Sequence, residues 1–288
     1  MSRERALPLL LLAPTVAVLL ALSIYPVVYA VRVSLQVGSG AGARWTLRNF
    51  TRLASDGFFL DALWHTFIYA AAALTLELSF GLALALLLNR EMRGRALFRA
   101  ALLVPMMLPP VVVGVVWRLM LNPNFGAVNG TLQRFGVETE GLTWTASPGL
   151  ALASVIAVDV WQWTPFMFLV LLAGLQAIPQ EPYEAAMIDG AGAWRTFCDV
   201  TLPLLKPALL VALLLRTMDL LRVFDQIFIL TEGGPAFATE TVNLYIYRAA
   251  FRFGDFGYAA AMSFVLLVLT NAVSLLYIRL LKGQEAAS

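Results

Sequence analysis

Six long apolar stretches constrain the fold of this chain more than any other feature. They cover approximately residues 7–35, 62–88, 97–121, 149–178, 204–230 and 257–281. A helix needs about 20 mostly apolar residues to cross about 30 Å of hydrocarbon. Because each stretch reaches that length, we predict an all-α, polytopic membrane protein with about six transmembrane helices, forming one domain over residues 1–288.

The composition supports a chain that faces lipid. Of its 288 residues, 60% are hydrophobic and 13% are charged, whereas soluble domains carry about 25% charged residues. The net charge of +2 does not indicate a nucleic-acid partner. With one cysteine, Cys198, and one histidine, His65, the chain has no intramolecular disulfide and no cluster of metal ligands.

The first stretch allows two interpretations. Its basic start is also typical of a secretory signal peptide. However, its apolar run exceeds the about 7–15 residues of a signal core, and no small-residue cleavage site follows it. We therefore expect an uncleaved first span.

Basic residues near the span ends predict the orientation in the membrane. They are denser on the side that holds both termini and the second and fourth loops. The opposite side has longer loops, at about 36–61, 122–148 and 231–256, where charge has less influence. We expect a multi-pass protein of the plasma or inner membrane with both termini in the cytoplasm. The residues on that side are Arg3, Arg5, Arg90, Arg93, Arg95, Arg99, Arg195, Lys206, Arg279 and Lys282.

The fourth loop, residues 179–207, has internal structure. Two prolines and two glutamates near its start suit the first turn of a helix, and Gly190 can end that helix. A second short helix fits residues 193–200, and Leu202-Pro203 then starts the next span. The residues alone fit either an ordinary amphipathic connector or a helical elbow that another protein approaches closely.

This loop resembles the EAA loop of binding-protein-dependent ABC importer permeases. The matching runs are Glu184-Ala185-Ala186, Asp189-Gly190-Ala191 and Leu202-Pro203. In that family the loop contains a cytoplasmic coupling helix, between helices four and five, that sits in a cleft of the ATPase subunit. The resemblance implies a coupling role for Glu184, Ala185, Ala186, Asp189, Gly190, Leu202 and Pro203.

The resemblance covers roughly residues 60–280 and is to the carbohydrate branch of the family. It includes Pro109-Pro110-Val111-Val112-Val113-Gly114, and Phe224-Asp225-Gln226-Ile227-Phe228 with Thr231-Glu232-Gly233-Gly234-Pro235. The implied partners are a second, different permease chain, two copies of an ABC ATPase and an extracytoplasmic substrate-binding protein. The implied cargo is an oligosaccharide, a polyol, glycerol or glycerol 3-phosphate, and the sequence leaves that choice open.

The chain has no phosphate-binding loop, because neither Lys206 nor Lys282 follows the required glycine pattern. We therefore expect no enzyme activity and no cofactor in this chain, with ATP and Mg²⁺ bound by the partner ATPase. A membrane-embedded enzyme is a weaker interpretation, because no nucleophile or metal site is evident.

Polar residues inside the spans are candidates for the substrate path, because charge in hydrocarbon is costly and normally faces a wet interior. Asp159, Gln162, Trp163 and Phe166 share one face of span four, where polar groups and aromatic rings together suit a sugar. In the resemblance, Gln162, Trp163 and Phe166 match positions that line the sugar path in the maltose-type permease of that family.

Span five carries four charges at three-residue spacing, namely Arg216, Asp219, Arg222 and Asp225. Arg216 and Asp219 fit either substrate contact or a buried ion-pair ladder joining spans four and five. Glu77 in span two is expected to pair with an arginine. A different hypothesis is an ion-coupled secondary transporter that uses Asp159 and Asp219 as proton carriers. That hypothesis does not explain why the fourth loop has internal structure.

The external loops contain the candidates for receptor contact. Asn122 and Phe125 lie in the third loop, and Gly233-Gly234-Pro235 predicts a turn in the fifth. The alternative is that both loops only cap the helix bundle.

Overall fold

The computed structural model describes residues 3–38, 44–90 and 93–285, with side chains described from residue 11 to residue 283. Arg3 and Arg5, which contribute to the predicted orientation, therefore have side chains outside the described part. Almost all regular structure is helical, as predicted. The helices are α1 (Arg3–Ser34), α2 (Arg48–Ser55), α3 (Gly57–Asn89), α4 (Arg95–Met107), α5 (Pro110–Met120), α6 (Ala127–Arg134), α7 (Pro148–Ala177), α8 (Glu181–Ile188), α9 (Ala193–Thr196), α10 (Leu202–Leu220), α11 (Asp225–Leu230), α12 (Val242–Tyr247) and α13 (Phe256–Glu285).

Two π-helical turns and one short ribbon complete the described structure. The π turns are Phe197–Thr201, between α9 and α10, and Arg248–Arg252, after α12. The strands β1 (Gln36–Val37) and β2 (Arg44–Trp45) pair antiparallel.

Five described helical segments are long and apolar enough to cross a membrane, and a sixth span results if α4 and α5 are counted as one bent span. This confirms a polytopic membrane protein with about six spans. The segments are Leu11–Ser34, Gly57–Asn89, Pro148–Ala177, Ala193–Leu220 and Phe256–Gly283.

The third predicted span, 97–121, is not one continuous helix. Its two halves, α4 and α5, meet at an angle of 95°. Leu108, at the break, has φ −79° and ψ 136°, which is extended backbone. The cause is the pair Pro109-Pro110, because a proline disfavours helical backbone in the preceding residue and has no N–H to donate.

The fifth predicted span, 204–230, is also wrong at both ends. The span starts at Ala193 and runs through the π turn and α10 to Leu220. The predicted second helix of the elbow, 193–200, is helical and continues into α10 without a break. The helix stops at Leu220, and the three charges Asp219, Arg222 and Asp225 lie within seven residues around that end, because charges favour a polar boundary over hydrocarbon.

The helices group into two compact units, and the first consists of Met1–Phe59 with Tyr245–Leu269. The Asp56 carboxylate accepts hydrogen bonds from the Tyr258 hydroxyl, from the Tyr245 hydroxyl at 2.8 Å and from the Phe58 N–H at 3.0 Å. Burial raises the pKa of Asp56, but the hydrogen bonds from Tyr258 and Tyr245 outweigh it and leave the pKa below the usual value. This carboxylate therefore ties the loop before α3 to the start of α13.

The second unit, Leu60–Leu244 with Thr270–Ser288, contains the candidate functional residues. Helix α7 is its centre, because 15 of its 30 residues are buried within the chain. Gly81 of α3 lies so close to α7 that a Cβ added there would come within 2.6 Å of the Met167 Cβ. The buried apolar cluster joins α3, α7 and α10 and contains Ala85, Leu88, Phe168, Leu171, Leu172, Leu175, Ile178 and Leu205.

Candidate functional site

The elbow, defined as residues 179–207, begins with α8 and a tight glycine-dependent stop. Gly190 has φ +72°, in the left-handed region that glycine adopts without strain. The Ala191 N–H donates to the Ala186 carbonyl at 2.9 Å, and the Gly190 N–H donates to the Met187 carbonyl at 3.1 Å. These two bonds form a Schellman cap. The predicted helix stop at Gly190 is confirmed.

The two arms of the elbow are held together. The Tyr183 hydroxyl of α8 donates to the Thr201 Oγ1 in the π turn at 3.2 Å. Within the second arm, Arg195 and Asp199 form an exposed pair at 3.3 Å. Ala186 is buried within the chain, so of the two alanines in the motif only Ala185 is available to a partner. The exposed members of the predicted coupling set are Glu184, Ala185, Asp189, Gly190, Leu202 and Pro203.

Large apolar side chains stand on the outside of the elbow. Ile188 is 87% exposed, Trp194 is 77% exposed and Met187 is 68% exposed. The two acidic residues of the first turn of α8, Glu181 and Glu184, are exposed beside them. An apolar surface with an acidic edge is typical of a protein-binding site.

A buried ion cluster joins three spans of the second unit. The Arg216 guanidinium of α10 holds Glu77 of α3 with two bonds, from Nε at 2.6 Å and from Nη2 at 2.9 Å. Its Nη2 also pairs with Asp159 of α7. All three side chains are at most 3% exposed. The predicted pairing of Glu77 with an arginine is confirmed, and the cluster links spans two, four and five.

The predicted stripe along span five does not act as one ladder. Asp219 pairs with Arg222 at 3.7 Å, and both side chains are more than half exposed. Arg216 instead faces the bundle interior, where its Cζ lies 4.9 Å from the centroid of the Trp163 ring. Of the four charges, only Arg216 is buried and belongs to the ion cluster, and the other three are exposed around the end of α10.

A cavity of about 210 Å³ opens beside the cluster. It brings together four of the six predicted substrate-path residues, namely Asp159, Trp163, Arg216 and Asp219. Neither Gln162 nor Phe166 lines it. Its other lining residues are Pro110, Leu220, Arg222, Val223, Phe224, Asp225 and Gln226.

Gln162 lies behind the cavity wall and has a structural partner. Its Nε2 donates to the Leu108 carbonyl at 2.9 Å, at the break between α4 and α5. Gln226 donates from its own Nε2 to the Gln162 Oε1 at 2.5 Å. Sequence reasoning missed Gln226 as a cavity residue; the only available signal was its place in the run Phe224–Phe228, which carries the family resemblance.

The two predicted receptor segments follow packed helices. Gly114 of α5 touches Ile229 of α11, so that a Cβ added at Gly114 would lie 2.9 Å from that side chain. Arg118 donates to the Ile229 carbonyl at 3.1 Å and pairs with Glu232 at 3.9 Å. The chain segments after α5 and after α11 are therefore anchored to each other.

The predicted receptor residues form turns there. The Asn122 side chain accepts the Asn124 N–H at 2.9 Å, and Phe125 is 71% exposed. Gly233 has φ +82°, and the bond between Gly234 and Pro235 is cis. The predicted turn in the fifth loop is confirmed.

The spans, the elbow and the polar cavity define a multi-pass membrane transport protein. The family model "Binding-protein-dependent transport system inner membrane component" matches residues 77–283. The chain belongs to this family.

Relatives and solved structures agree with this assignment. The trehalose/maltose transport system permease MalF of Thermococcus litoralis is 39% identical, over 96% of this chain and 94% of that protein. The sulfoquinovosyl glycerol transport system permease SmoG of Agrobacterium fabrum is 37% identical, over 98% and 92%. A bacterial ABC transporter chain involved in import of the acidic polysaccharide alginate has the same fold, with a TM-score of 0.85 at 22% identity over 97% of this chain and 96% of that one. The predicted resemblance to the carbohydrate branch of ABC importer permeases is confirmed.

Proposed function

We propose that this chain is the permease subunit that carries a sugar across the membrane, driven by ATP hydrolysis on a separate ATPase. The single observation that carries the coupling part is the elbow, where a rigid Schellman-capped helix presents Met187, Ile188 and Trp194 outward. Apolar side chains this exposed at the end of a membrane bundle are stabilised when a partner protein covers them.

The proposal extends to the remaining partners. The elbow faces the cytoplasm. Two copies of the ATPase, with their ATP and Mg²⁺, bind there to this elbow and to a second permease chain. A soluble binding protein delivers the substrate on the opposite side, against the turns at Asn122–Phe125 and Gly233–Pro235. The anchoring of these turns through Arg118 supports a firm docking surface.

The cavity supports a sugar as cargo. Trp163 offers an aromatic face, and the carboxylates Asp159 and Asp219 accept hydrogen bonds from hydroxyl groups. Relatives of 34% to 39% identity are named as permeases for trehalose/maltose, sulfoquinovosyl glycerol and lactose. Asp159 is held by Arg216 and Asp219 by Arg222, so the ion-coupled hypothesis gains no support.

Reconstitution tests this function directly. We expect the complete importer in liposomes, with ATP inside and loaded receptor outside, to accumulate radiolabelled sugar. Omitting the ATPase, or replacing ATP with a non-hydrolysable analogue, should reduce uptake to the level of empty liposomes. Sugar flux through this chain alone, driven by a pH gradient, would contradict the proposal.

A further inference from the structure

We propose that the cavity beside the ion cluster selects uncharged sugars and rejects anionic ones, with Gln226 as a fixed hydrogen-bond acceptor for a sugar hydroxyl. This inference rests on the proposed permease function, and it narrows the cargo that the sequence leaves open. Three observations carry it: the charge of the inner cluster, the charge of the cavity mouth and the direction of the glutamine chain.

The inner cluster carries an excess of carboxylate. Glu77 and Asp159 share the single guanidinium of Arg216. Arg216 uses its Nε and Nη2 for these two carboxylates, so its positive charge is compensated before any ligand arrives.

The mouth of the cavity is also acidic. Asp219 and Arg222 neutralise each other at 3.7 Å. Asp225, which lines the same cavity, forms no ion pair with any residue in the described part of the chain. In total, four carboxylates and two guanidinium groups lie in or directly behind the cavity wall. An entering anion meets the Asp225 carboxylate and two arginines that are already paired, and low-dielectric walls strengthen the repulsion from Asp225.

The glutamine chain has only one possible direction. The Leu108 carbonyl can only accept, so Gln162 must donate to it through Nε2. Gln162 therefore presents Oε1 to its neighbour, and Gln226 must donate through its own Nε2. This leaves the Gln226 Oε1 as an acceptor, and that atom has no partner among the described residues although the side chain is 2% exposed.

A buried acceptor without a partner favours a ligand that brings a donor. A sugar hydroxyl can donate to Gln226 and to the carboxylates of the wall. An anionic sugar keeps hydroxyl groups that can also donate to Gln226, but its phosphate, sulfonate or carboxylate oxygens can only accept and add charge repulsion at the acidic wall. The cavity therefore fits glycerol, a polyol or a neutral disaccharide, and it disfavours glycerol 3-phosphate and acidic sugars.

The test uses two probes that differ by a single phosphate group, trehalose and trehalose 6-phosphate. Their binding to the purified importer without receptor is measured by saturation-transfer NMR, so that receptor selectivity does not contribute. We expect trehalose to bind at least about tenfold more tightly at physiological salt. In the double variant Asp219→Asn/Asp225→Asn, the ratio of the two dissociation constants should fall several-fold. Asp61 is an exposed acid outside the cavity, and the control Asp61→Asn should keep the wild-type ratio.

Gln226→Met tests the acceptor separately. It should weaken trehalose binding several-fold, up to about tenfold, because one hydrogen bond is lost. Equal or tighter binding of trehalose 6-phosphate by the wild type, or binding of neither probe, would overturn the inference. ATP-dependent uptake by the same preparation separates the two claims: if it persists, the permease function stands and only the charge selection fails.

Discussion

Replacing Arg216 with methionine should lower the free energy of unfolding by about 3–5 kcal/mol, the typical cost of removing one partner from a buried ion pair. The change leaves Glu77 and Asp159 facing each other without a cation, and both are at most 3% exposed. Thermal unfolding of the detergent-purified chain, followed by tryptophan fluorescence, measures the loss as a lower melting temperature.

Two comparison variants make this prediction specific. Arg222→Met removes an arginine whose pair with Asp219 is more than half exposed, and it should cost at most about 1 kcal/mol. Adding Glu77→Gln and Asp159→Asn to Arg216→Met should recover most of the lost stability, because it removes the two uncompensated charges. An Arg216→Met protein as stable as the wild type would show that the cluster does not hold the three spans together.

Gly190→Asp should reduce ATP-driven uptake by at least about tenfold while membrane insertion stays normal. At φ +72°, any residue with a Cβ strains the cap and shifts the apolar surface that follows it. Glu184→Lys, which reverses the charge on the exposed acidic edge, should have a similar effect. Uptake and co-purification of the ATPase are the two measurements.

Gly192→Asp is the matched control. Gly192 is also exposed and has open space around its Cα, but its φ of −71° suits any residue. Aspartate is moreover favoured at that position, the N-cap of α9. We expect this variant to retain uptake. Normal uptake and ATPase binding in both Gly190→Asp and Glu184→Lys would refute the coupling role of the elbow.

Much of the fold was predictable because apolar length reports membrane spans directly. Span two, predicted at 62–88, is α3 at Gly57–Asn89, and span four, predicted at 149–178, is α7 at Pro148–Ala177. The helix stop at Gly190 was also predictable, since the left-handed cap is a local property of glycine.

The errors arose where apolar length and backbone geometry disagree. Residues 97–121 are apolar almost throughout, but Pro109-Pro110 bends the chain by 95°. Residues 204–230 read as one apolar run, whereas the helix starts at Ala193 and stops at Leu220 because charges follow. Hydropathy averages over such breaks, so it locates a span without fixing its continuity.

The sequence predicted which residues lie at the site better than it predicted which side chains they contact. Spacing on one helix placed Asp159 and Trp163 on a common face, and both line the cavity. That spacing could not reveal that Gln162 turns to the Leu108 carbonyl, 54 positions away, or that Arg216 reaches Glu77, 139 positions away. Such pairings depend on how the helices pack, which local periodicity does not encode.

The central claim is that the elbow faces the cytosol and binds an ATP-hydrolysing partner. Ile188, 87% exposed at the end of α8, is the best site for a reporter thiol, introduced as Ile188→Cys in a Cys198→Ser background. In intact cells, we predict that a membrane-impermeant maleimide leaves this thiol unlabelled, that permeabilisation makes it reactive, and that bound ATPase protects it. Labelling of the Ile188→Cys variant from the outside of intact cells would contradict the account, because an elbow on that side cannot meet an ATPase.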